Sequence, residues 1–131
     1  MKNFYVVSSF IFLFPTMVAF YKHEWIYFTL AFLIFIFSFL YHLYFKHKIN
    51  HWLTSFLKEG DWFVALTSYL YMFYFIYKYT FNNLKIILAI LLAISVTFFI
   101  LGYKKIISYH KFHPWFHIFA GLISGFIVFF S

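Results

Sequence analysis

Cysteine and arginine are both absent from this 131-residue chain, and only three residues, Glu24, Glu59 and Asp61, are acidic. The missing thiols exclude disulfides, iron–sulfur clusters and thiolate metal sites together. Any metal ion would have to be held by histidine and oxygen. Charge is scarce as well: charged residues make up 10% of the chain, against about a quarter in ordinary globular proteins. Hydrophobic residues reach 66%, where about half is usual. This is the composition of a membrane protein, with little left over for a water-soluble domain.

Crossing the hydrocarbon core takes about 20 predominantly apolar residues. Five such segments are expected, over 4–21, 25–45, 61–77, 84–103 and 112–131. The expected fold class is therefore all-α and integral to the membrane, with residues 1–131 as a single transmembrane domain. Met1-Lys2 before an apolar run could suggest a secretory signal, but the run is long for a signal core and no small-x-small cleavage site closes it. It is read as the first helix, kinked at Pro15. Internal repeats and low-complexity linkers are not evident.

Five crossings put the two termini on opposite faces, and the lysines can then be counted by face. Lys2, Lys46, Lys48, Lys58, Lys104, Lys105 and Lys111 share the N-terminal face, while Lys22, Lys78 and Lys85 lie on the other. Seven against three favours a cytoplasmic N-terminus and an external C-terminus. The formal net charge of +7 needs no nucleic acid, because lysines beside anionic headgroups account for it.

The long connection from Lys46 to Gly60 is patterned. Ile49, Trp52, Leu53, Phe56 and Leu57 recur at helical spacing on one side, with His47, Lys48, Asn50, His51, Thr54 and Lys58 largely on the other. This predicts a short helix over 47–58 lying in the interface, ended by Gly60, with Asp61 starting the third span.

An imidazole at membrane depth is costly unless something binds it. His113 and His117 open the last span, His42 and Ser38 lie near the end of the second, and Asp61 opens the third. Helix parity puts all of them at the cytoplasmic face. A spacing of four places Ser38 with His42, and His113 with His117, on a common helix face. Three imidazoles, an open position and a nearby carboxylate are what a catalytic zinc ion needs to make hydroxide available at neutral pH. Asp61 would orient or deprotonate the water, and Ser38 would hydrogen-bond the water or an oxyanion. The implied reaction is hydrolysis of an amide or ester, and a substrate reaching this depth would be a lipid.

At these residues the chain resembles the CREST superfamily of membrane hydrolases, which includes the alkaline ceramidases, the adiponectin and progestin receptors, the Per1 proteins and the TMEM8-like proteins. The resemblance rests on Ser38-Phe-Leu-Tyr-His42, an Asp heading the next span, and His113-Pro-Trp-Phe-His117 in the last span. It implies zinc on His42, His113 and His117, supporting catalytic roles for Ser38 and Asp61, and a ceramide-like or phospholipid substrate. Family members usually have a seven-helix core, so this chain would be a variant with two helices fewer.

Other readings remain open on the residues alone. Asp61 after Gly60 can be an ordinary N-cap, His113 before a first-turn proline can face headgroups, and the histidines together can serve polar packing or a proton path. A receptor-like or scaffold protein with a structural metal is a non-enzymatic alternative, and a bis-histidine haem on His42 and His117 is another. His47 and His51 repeat the four-residue spacing among lysines and are expected to be solvated. Gly121 and Gly125 form a small-residue face suited either to internal packing or to a homo-oligomer contact.

Overall fold

In the computed structural model the chain is described at residues 2–47, 50–79, 82–104 and 109–131. Among these, every regular element is helical: α1 (Lys2–Ser9), a 3-10 segment (Phe10–Phe12), α2 (Leu13–Tyr21), α3 (Trp25–His47), α4 (His51–Tyr79), α5 (Asn82–Tyr103) and α6 (Tyr109–Phe129). Among the described residues, four stretches are long and apolar enough to cross a membrane: Asn3–Tyr21, Trp25–Phe45, Leu84–Gly102 and Lys111–Phe129. The fifth expected segment, 61–77, lies within α4. Tyrosines at 69, 71, 74 and 77 dilute its apolar character.

The first stretch changes helix type part way. Pro15 has no N–H, and its ring crowds the carbonyl four residues back, at Ile11. The chain tightens there into the 3-10 turn Phe10–Phe12 before resuming as α2. Thr16 Oγ1 donates to the Phe12 carbonyl at 2.7 Å and satisfies an acceptor beside the proline. At the far end His23 adopts a left-handed φ of 60°, and the Glu24 amide reaches back to the Ala19 carbonyl at 2.9 Å, which closes the helix. Lys22 Nζ then donates to the Phe129 carbonyl at 2.7 Å, so the end of α2 and the end of α6 lie side by side.

The connection before the third expected span differs from the sequence reading. Residues His51–Tyr79 form one continuous helix of 29 residues, about 44 Å long at 1.5 Å per residue. Asn50 caps it, its Oδ1 accepting from the Trp52 amide at 2.9 Å. His47 belongs to the end of α3. Gly60 therefore does not end a helix, and Asp61 does not begin one. A Cβ at Gly60 would run into the Phe37 ring of α3, so the glycine is there to let α4 approach. Close contact outweighs the weak helix propensity of a single glycine.

Lipid is as apolar as leucine, so helices in a membrane associate through close packing and hydrogen bonds. Both are visible around α6, the most buried of the apolar stretches: half of Lys111–Phe129 is buried, against a third or less of the others. α6 touches α1, the 3-10 segment, α2, α4 and α5. A Cβ at Gly121 would meet Ile11, and one at Gly125 would meet Phe14. The first stretch packs against this small-residue face. Tyr27 donates to the Ser124 carbonyl at 2.7 Å, and the Tyr69 and Ser95 hydroxyls pair at 2.9 Å. Large apolar side chains such as Met17, Phe63, Leu70, Ile86 and Trp115 point outward, as a lipid-facing surface requires.

Candidate metal centre

Four-residue spacing does what it predicts on both helices. Ser38 and His42 share the inner face of α3, 1% and 5% exposed, and His117 on α6 is 2% exposed. His113, one turn before it, is partly buried. His42 Nε2 and His113 Nε2 lie 3.1 Å apart, and one nitrogen from each of His42, His113 and His117 falls within 4.8 Å of the others. The rings are correspondingly crowded, with centroids 4.3 Å apart for His113 and His117 and 5.2 Å for His42 and His117.

These separations fit a small ion. Nitrogens 2.0–2.1 Å from a tetrahedral zinc stand about 3.3 Å from one another. The His42–His113 pair is already near that value, and the widest pair must close by about 1.5 Å, within reach of a side-chain adjustment. Among the described residues, these three histidines are the grouping of potential ligands close enough to hold a metal.

Ser38 Oγ lies 3.3 Å from His117 Nε2. Asp61 is partly buried on α4 and lines a cleft together with Ser38, His113 and His117. No hydrogen bond joins its carboxylate to another described residue, and it stands outside the tight histidine group. The rest of the cleft is apolar, walled by Phe12, Ile34, Met72, Phe99 and Phe116.

Two ordinary explanations lose their footing in this arrangement. Asp61 sits ten residues inside α4, so N-capping cannot account for it. Pro114 is interior to α6, which begins at Tyr109, and is no first-turn proline. His113 is held against His42 and does not simply face headgroups. His47 and His51 are exposed, in keeping with their place among lysines.

The sequence reading assigned the first helix no part in the site, yet it contributes three side chains. Ser8 Oγ lies 3.0 Å from His117 Nδ1, Ser9 Oγ lies 3.2 Å from Ser38 Oγ, and the Tyr5 ring stacks on His42 at 5.5 Å. Phe12 meets the His117 ring edge-on at 5.5 Å. One signal was available: Ser8-Ser9 is a polar pair inside an apolar run, at the depth that parity assigns to the histidines.

The chain matches no family model, and neither a curated protein nor a solved structure matches it.

Proposed function

We propose that this chain is an integral membrane hydrolase that uses a zinc ion on His42, His113 and His117 to cleave a lipid amide or ester, with a ceramide-like amide as the first candidate substrate. The observation that carries the reading is convergence: two helices bring three imidazoles within 4.8 Å, at a cleft lined by Ser38 and Asp61 among otherwise largely apolar walls. Five crossings are proposed, with the N-terminus cytoplasmic and the C-terminus outside. The Lys22–Phe129 contact supports that count, because the ends of the first and last spans can meet only if an even number of crossings separates them. Counting α3, α4, α5 and α6 gives four; without α4 the two ends would face opposite sides.

Zinc, when bound, would supply Lewis acidity and a water that ionises near neutral pH. The chain's own groups divide the remaining work. Asp61 takes the proton of the attacking water and returns it to the leaving nitrogen or oxygen. Ser38 donates a hydrogen bond to the carbonyl oxygen as negative charge develops there. Phe12, Ile34, Met72, Phe99 and Phe116 hold the acyl chain and keep bulk water away.

A second reading, a structural metal stapling α3 to α6, is favoured by Ser38 Oγ standing close enough to His117 Nε2 to occupy a fourth position. A bis-histidine haem is disfavoured, since His113 crowds both His42 and His117 and leaves no slot for a macrocycle. Metal analysis of detergent-purified protein, beside His42→Ala and His117→Ala, is the direct test. About one zinc per chain, lost in both variants, supports the site; stoichiometric zinc surviving both substitutions overturns it. Turnover of N-acylsphingosine or phosphatidylcholine in mixed micelles separates the enzyme from the staple, which binds zinc and hydrolyses neither.

A further inference from the structure

We propose that Ser8, on the first helix, is the positioning residue of the metal centre: it holds His117 as the Nδ1–H tautomer, so that Nε2 is the atom offered to the ion. This rests on the metal reading above. Ser8 is 4% exposed, and its Oγ makes two contacts, with the Tyr5 carbonyl at 2.9 Å and with His117 Nδ1 at 3.0 Å. A hydroxyl has one proton. The Tyr5 carbonyl can only accept, so the Ser8 proton goes there and the Ser8 oxygen is left as an acceptor. His117 must then donate from Nδ1, and its lone pair lies on Nε2.

The opposite edge of the ring agrees with this assignment. His117 Nε2 faces Ser38 Oγ at 3.3 Å, and Ser38 can give its proton to that lone pair or to Ser9 Oγ at 3.2 Å. A metal ion needs the same lone pair, and a histidine ligand is usually oriented by a hydrogen bond from its other nitrogen. The acceptor here is a side chain on a different helix from any proposed ligand. Docking of the first helix against α6, through Ile11 on Gly121, therefore bears directly on ligand geometry.

The test compares wild type with Ser8→Ala, Ser8→Thr and Ser9→Ala in detergent. In metal-free protein labelled with ¹⁵N-histidine, long-range proton–nitrogen correlations report each tautomer. The expected result is an Nδ1–H tautomer at His117 in wild type, Ser8→Thr and Ser9→Ala, lost or mixed in Ser8→Ala, beside one further Nδ1–H ring in all four from the His42–His113 pair, whose Nε2 atoms share a proton. Zinc affinity by chelator competition should fall about 10- to 100-fold in Ser8→Ala and return in Ser8→Thr. Should Ser8→Ala not fold, the wild-type spectrum alone decides, because an Nε2–H tautomer at His117 overturns the assignment. Equal zinc affinity with and without the Ser8 hydroxyl overturns the role of Ser8 alone. Failure of wild type to bind zinc overturns the metal reading and the role of Ser8 with it.

Discussion

Zinc should stabilise the folded chain, and the increment should disappear when one imidazole is removed. A ligand at 100 times its Kd adds about 2.7 kcal/mol to the folded state. His42→Ala acts at two levels. Without metal, it removes the 3.1 Å contact with His113 and leaves a void beside the stacked Tyr5 ring, which together should cost about 1–3 kcal/mol. With zinc present, the whole metal increment is forfeited as well, because two imidazoles hold the ion far more weakly than three. The gap between wild type and His42→Ala should therefore widen from about 1–3 kcal/mol in chelator to about 4–6 kcal/mol in zinc. Unfolding from mixed micelles by added SDS, followed by tryptophan fluorescence and helicity, measures both gaps. His47→Ala, exposed at the end of α3, controls for histidine loss in general and should keep the full increment. A gap that stays the same size in chelator and in zinc would refute the assignment of His42 as a ligand.

Three further outcomes are expected. Asp61→Asn should lower lipid turnover by at least about 100-fold while zinc content stays at the wild-type level, and loss of zinc would make Asp61 a ligand. Gly125→Leu should destabilise the chain by about 1–3 kcal/mol in the same SDS titration, since the new side chain meets Phe14; unchanged stability would mean that the first stretch does not fill that face. A reporter that works only outside the cytoplasm should be active when fused after Ser131, and activity there of a reporter that works only in the cytoplasm would reverse the lysine-based topology.

The residues legible in the sequence were those whose placement depends on local spacing and parity. Ser38 with His42, and His113 with His117, needed only the helical repeat to share a face and only an even number of crossings between the two pairs to share a depth. What spacing could not give was rotation of one helix against another. Ser8 and Ser9 reach His117 and Ser38 because the first stretch is wedged between α3 and α6, and its phase is altered by the 3-10 turn at Phe10–Phe12. Gly60 illustrates the same limit from the other side. Local propensity makes it a helix terminator, whereas the Phe37 ring on a neighbouring helix makes it a point of close approach inside one.

Whether a bundle this small can enclose the proposed site turns on how many helices line the cleft, and the lining gives a geometric answer. Phe12 comes from the first stretch, Ile34 and Ser38 from α3, Asp61, Tyr69 and Met72 from α4, Phe99 from α5, and Phe116 and His117 from α6. Every stretch supplies a wall, and none is spent on the periphery alone. Two further helices, as in the seven-helix core that the resemblance implies, are therefore not needed to surround this cleft. The arrangement that replaces them is tight: α4 brings Asp61 in only because Gly60 lets it press on Phe37, and the first stretch brings Ser8 in only because Gly121 accepts Ile11. A larger side chain at either glycine should disturb the site from outside it. Gly60→Val should therefore impair turnover more than zinc binding, because it displaces Asp61 and leaves α3 and α6 in place, while Gly121→Val should weaken zinc binding itself by drawing Ser8 away from His117. Equal loss of both properties in both variants would show general unfolding and refute this division of roles.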